Sequence, residues 1–197
     1  MCPKGTAQYK TEIKERIIQS AIENFSKHGF DRARMDDIAN SCDLSKGTLY
    51  LYFKSKEDLF YAICEHNIER LKEQLSTLFT RKENLLSDAK QFYENFRRIT
   101  HDSDLVLFET LAESSRNKRI KEAVYETKLQ TYQAVVESLN LQIKSGIIRK
   151  DIDVDALATG LVALYDGLTL SRLIGVSDVQ NKKAWIETIR VVIDGLS

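Results

Sequence analysis

Glycine and proline together supply only nine of the 197 residues, and the single proline is Pro3. Average proteins carry roughly 12% of the two. A sandwich or barrel needs them at its many turns, so this scarcity excludes an all-β architecture and points to long uninterrupted helices. A chain of this length can bury a sizeable core and has room for two helical domains, one of them small. The 43% apolar content excludes wholesale disorder. No apolar run approaches the ~18 residues of a membrane span. Cys2, Cys42 and Cys64 are odd in number, lack metal-like spacing and follow no signal peptide, so reduced thiols in a cytoplasmic protein are expected.

The charges balance at 29 basic and 29 acidic residues, yet residues 1–56 carry ten Lys/Arg against seven Asp/Glu. That excess is a weak pointer to a polyanion partner; the placement of the charges says more. From Thr11, the residues Ile13, Ile17, Ile18, Ala21, Ile22 and Phe25 recur at helical spacing, and Gly29 closes the helix. Met35, Ile38, Ala39 and Cys42 mark a second short helix with Asp36 and Asp37 in its first turn, where the helix dipole favours acid. Ser45 reads as the N-cap of a third, in which Leu49 and Phe53 point inward and Lys46, Thr48, Tyr50 and Tyr52 outward. Two short helices about a tight turn at Asp43 have the spacing of a helix-turn-helix. Ser55 opens a fourth helix, with Asp58 completing an approximate capping box. Periodic segments at 84–101, 104–115, 117–145, 153–174 and 182–196 bring the count to about nine helices, an all-α fold. The expected division is a DNA-binding domain at 1–56 and a helical bundle at 57–197.

The run Gly29-Phe30, Met35 through Ala39 and Leu44 through Leu59, with Lys46-Gly47-Thr48-Leu49-Tyr50 at its centre, resembles the DNA-binding domain of TetR-family transcriptional regulators. Beyond it the chain matches that family only in length and helix count. The resemblance implies a recognition helix in the major groove and a variable C-terminal domain that binds a ligand. Two positions depart from the family pattern: Arg34 stands where Ser or Thr commonly caps the second helix, and Asp43 replaces a turn glycine. Lys46 and Lys56 can neutralise phosphates, a guanidinium at Arg34 can do the same, and the Ser45 and Thr48 hydroxyls can bond phosphate oxygens. Gly47 permits close backbone approach, while Tyr50 and Tyr52 offer hydroxyl tips and rings suited to backbone and thymine methyls. The bland alternative is a solvated surface with scattered aromatics, and for Tyr50 packing against the first helix.

Phe92, Tyr93, Phe96, Phe108, Tyr125, Tyr132 and Tyr165 each read singly as core; together they can line an apolar cavity between helices. Arg97, Arg116 and Arg119 are either a solvated face or partners for an anionic ligand group. An apolar cavity with such a basic mouth suits a fatty acyl chain or a fatty acyl-CoA. For a homodimer interface the expectation is Leu157, Gly160, Leu161, Leu164 and Leu168 with Ile186, Ile189 and Val192, packed on their symmetry mates as a four-helix bundle. Neither metal nor other cofactor is expected: no Glu-x-x-His occurs, and Cys64 and His66, two apart, point to different helix faces. The leading expectation is a repressor released from a palindromic double-stranded DNA operator by a small lipophilic ligand that moves the fourth helix. A DNA-binding regulator without an effector is the alternative. A helical-bundle enzyme is less favoured, since no nucleophile, acid/base pair or metal cluster stands out.

Overall fold

The punctuation in the sequence decides where helices stop. Gly29 takes φ +81° and its N–H reaches Phe25 O at 2.8 Å, ending the first helix. Asp43 occupies the left-handed region at φ +51°, a conformation its short polar side chain tolerates, and turns the chain between the second and third. In the computed structural model, which describes residues 7–101 and 103–196, the helices are α1 (Ala7–His28), α2 (Met35–Ser41), α3 (Lys46–Tyr52) and α4 (Lys56–Thr77). A 3-10 turn at Lys82–Asn84 leads to α5 (Leu85–Thr100), α6 (Ser103–Glu113), α7 (Lys118–Lys144), α8 (Val154–Leu173) and α9 (Asp178–Leu196). Cys2, Pro3 and Asp102 lie outside the described residues. The segment expected at 182 begins at Asp178, because Ser177 Oγ accepts the Gln180 N–H at 3.3 Å and caps α9. Among the described residues, no helix is long and apolar enough to cross a membrane.

The chain forms two compact units, and a single cut after residue 56 does not describe them. The first runs to His66 and resumes from His101 to Tyr125. The reason is packing: Val106 of α6 and Ile120, Ala123 and Val124 of α7 are buried in one cluster with Ile17, Phe25, Ile38, Leu49 and Phe60. The second unit comprises Asn67–Thr100 and the chain from Glu126 onward. It holds two clusters, one around Leu71, Phe92, Tyr93 and Trp185, the other around Leu85, Leu139, Ile148 and Ala158. Trp185 Nε1–H donates to Ala89 O at 2.8 Å, fastening α9 to α5. Helices α4 and α7 each contribute residues to both units.

Candidate nucleic-acid interface and cavity

The helix-turn-helix is aligned by polar groups of α1. Ser20 Oγ donates to Ile38 O at 3.2 Å, Asn24 Nδ2 to Ser41 Oγ at 3.1 Å, and the Arg16 guanidinium to Cys42 O. Leu49 and Phe53 are buried beneath α3. Ser45 caps it, its Oγ accepting the Thr48 N–H at 3.1 Å and lying 2.8 Å from Thr48 Oγ1. Arg34 sits at the α2 N-cap without any side-chain cap bond. The outward surface carries Ser45, Lys46 and Gly47, and Leu51 at 77% exposure. Tyr50 and Tyr52 are half-buried and packed against the core cluster, so the apolar group presented by α3 is Leu51, which the sequence reading passed over. A Cβ at Gly47 would meet nothing nearer than Ser45 Oγ at 3.9 Å, so the protein's own packing does not require glycine there. The Lys46 ammonium pairs with Asp36 at 2.9 Å, and the hydrogen bond to that carboxylate raises its pKa above the ordinary lysine value.

Lys56 is placed otherwise than expected. Its ammonium donates to Phe30 O at 2.9 Å and Asp31 O at 2.5 Å, and lies 5.2 Å from the Phe30 ring centroid. It serves backbone carbonyls of the turn that follows α1. From the other side, the Glu109 carboxylate of α6 accepts the Phe30 N–H at 2.8 Å, close enough that a Cβ on Gly29 would stand 3.2 Å from it. Arg119 is also structural: it pairs with Asp58 at 2.7 Å and reaches Ser55 Oγ at 3.3 Å. Burial alone would raise the Asp58 carboxyl, but the Arg119 guanidinium and the Lys54 N–H donated to it at 2.9 Å outweigh burial and hold it below the usual carboxylate range.

The second unit contains a partly open apolar cavity of about 140 Å³. Leu71 and Leu75 of α4, Phe92 and Phe96 of α5, Leu157 and Leu161 of α8 and Trp185 of α9 contribute to its wall. Of the expected ligand residues, Phe92, Phe96 and Tyr165 line it; Trp185 and Phe79 were missed. Tyr93 is buried outside the lining, where burial pushes its phenol up despite the nearby Arg172. Arg97 makes a bidentate contact with Asp178 at 3.2 and 3.3 Å, and the Tyr132 hydroxyl bonds Asp155. Phe108, Arg116, Arg119 and Tyr125 belong to the first unit. No Arg or Lys is among the lining residues; the one charged lining residue is Asp166, whose carboxylate pairs with Lys128.

Comparison with known proteins follows the same two parts. A family model for bacterial regulatory proteins of the tetR family matches residues 17–63. A second, for the C-terminal part of BetI-type transcriptional repressors, matches residues 94–197, more than half the chain. The chain belongs to the TetR family. An uncharacterized HTH-type transcriptional regulator of Bacillus subtilis, YerO, is 34% identical over 78% of the chain, which spans only 55% of that relative's length. The fatty acid metabolism regulator protein of the same organism is 28% identical over 71% of the chain and 72% of its own length. The solved structure of Salmonella enterica GusR superposes with a TM-score of 0.76 at 25% identity, covering 98% of each chain.

Members of the TetR family are transcriptional regulators, not enzymes. In this member most of the residues expected at a subunit interface face inward. Leu157, Leu161, Ile189 and Val192 line the cavity, Leu168 is buried, and Leu164 and Ile186 pack against the aromatic cluster. Only Gly160 of that set is exposed, on an outer α8 face shared with Ala156, Ala163 and Gly167. Small residues occupy that outer α8 face, and Leu170 and Ile174 near the end of α8 and Val179 and Val191 of α9 are exposed as well.

Proposed function

We propose that this TetR-family regulator is a homodimeric repressor acting in the cytoplasm, released from an inverted-repeat operator by a small lipophilic effector in the cavity of the second unit. The observation that carries the effector is the apolar cavity of about 140 Å³. An apolar cavity of roughly 150 Å³ admits a single benzene ring. Leu71 and Leu75 of α4 line the cavity, while Leu59 and Phe60 of the same helix lie in the core of the DNA-binding unit. Effector binding that displaces α4 would alter the separation of two recognition helices, which must match about 34 to 36 Å on one face of DNA. For the dimer, the exposed Gly160, Ala163 and Gly167 of α8 with Ala184 and Val191 of α9 form the face we assign to the partner copy. The Leu51 side chain is assigned to a thymine methyl in the major groove.

A fatty acyl-CoA effector is the second reading, supported by the fatty acid metabolism regulator among the relatives. Its long chain requires the cavity to open well beyond its present volume. The test is selection of bound fragments from genomic DNA, then a mobility shift with benzyl compounds and with acyl thioesters. Recovery of an inverted repeat released by one class supports the reading and names the class; sequence-specific binding that no lipophilic compound relieves sinks the effector. Replacing operator thymines by uracil should weaken the wild type several-fold and leave Leu51→Ala unaffected.

A further inference from the structure

The cavity's polar side does not match its apolar wall. Asp166 of α8 lines the cavity beside Tyr165, and its carboxylate pairs with the Lys128 ammonium of α7. Both side chains are 42% exposed. A carboxylate against an apolar cavity is costly unless a cation partners it. Lys128 of α7 fills that role without itself being a lining residue. We propose that the effector carries a positive charge on a compact apolar body, and that Lys128 holds the effector's place on Asp166 while the cavity is empty. The proposal rests on the cavity being the effector site.

The exchange is physically easy. Lys128 is a compact charge on a flexible four-carbon stem, exposed enough to swing into water when another cation takes the carboxylate. An anionic effector would bring a like charge toward Asp166 with no lining cation to receive it. A neutral one would leave the ion pair as it stands and gain nothing from it. The wall adds to the preference. Phe92 and Phe96 stack at 5.5 Å between centroids and Tyr165 meets Phe96 edge-on at 5.1 Å, so the wall is in part aromatic, a surface that also attracts cations. Lys128 is thus an internal competitor that sets the concentration at which the effector acts.

The test compares benzyltrimethylammonium with neopentylbenzene, its carbon isostere, and with phenylacetate, by calorimetry or thermal shift on the full chain. The readout is the ratio of dissociation constants, which a general loss of stability does not move. The wild type should prefer the cation. Asp166→Asn should remove most of that preference, leaving only what the aromatic wall supplies. Lys128→Met should tighten the cation about fivefold, the scale of one partly exposed ion pair, and leave the isostere unchanged. Equal binding of cation and isostere, or phenylacetate binding that Lys128→Met abolishes, overturns the proposal and leaves the effector cavity standing. Failure of all three probes removes the cavity reading as well.

Discussion

The two units fill their interiors differently. In the first, Phe30 packs on Phe25 at 5.1 Å and on Phe60 at 6.1 Å, and the buried polar groups of α1 find partners on α2. In the second, Phe92 stacks on Trp185 at 5.8 Å, yet about 140 Å³ beside them stays open. There too the buried Gln74 amide and Thr169 hydroxyl lack hydrogen-bond partners. A unit that must hold a recognition helix in fixed register gains from a closed, satisfied core. One that must admit a ligand gains from space and from groups whose partners are not yet fixed.

Adding volume to each unit gives the largest contrast. Ala21 is fully buried in the first unit, so Ala21→Val should overpack it and cost about 1–3 kcal/mol in denaturant titration. Val135 lines the cavity, so Val135→Phe should stabilise by up to about 1 kcal/mol and abolish effector release. If both substitutions destabilise to the same degree, the second unit is as tightly packed as the first and the contrast is broken.

Within the DNA-binding unit the two lysines separate contact from scaffold. Lys56→Ala should lower stability by about 1 kcal/mol, because two carbonyls lose a charged donor, and leave the salt dependence of DNA binding unchanged. Lys46→Ala should lower the salt slope by about one per half-site without affecting folding. Matching salt slopes in the two variants would return Lys56 to the phosphate contacts.

Gly47 sharpens the point further. A glycine inside a helix costs about 0.5–1 kcal/mol relative to alanine, and nothing in the protein crowds a Cβ there. Gly47→Ala should therefore raise the unfolding free energy by that amount while weakening operator binding. Unchanged operator affinity would mean that the backbone at Gly47 does not approach DNA.

The same contrast explains what the sequence made legible. The α1–α4 region announces itself through local signals, the left-handed Gly29 and Asp43 and the Ser45 cap, each acting within a few residues. The intramolecular contacts of Lys56 were not legible because its partners are the carbonyls of Phe30 and Asp31, and backbone carbonyls bear no side-chain signature. Membership of α6 in the first unit rests on Val106 packing into a core built from residues far earlier in the chain. In α8 almost every position is apolar or small, so periodicity could not tell the cavity face of Leu157 and Leu161 from the exposed face of Gly160 and Ala163. The cavity itself is a shortage of volume among helices α4, α5, α7, α8 and α9, a property of their sum that no one segment displays.

The smallest expected effect concerns acid. Asp58 has its pKa depressed in the folded state, as does Glu57, whose burial is outweighed by hydrogen bonds that include one from Asn117. A depressed carboxyl contributes stability that is complete above its unfolded pKa, near about 4, and is lost as the pH falls through the folded value. Both carboxyls sit in the first unit, at the start of α4, where Arg119 and Asn117 of the α6–α7 corner reach them. Arg119→Met should flatten the decline of stability below about pH 4 while leaving the neutral-pH effector response intact, since Arg119 is not in the cavity lining. The change should be modest, because the pair is partly exposed. Loss of the effector response in Arg119→Met with the fold intact would place Arg119 with the ligand, as the sequence reading had allowed, and would tie the α6–α7 corner to effector binding instead of to the DNA-binding scaffold.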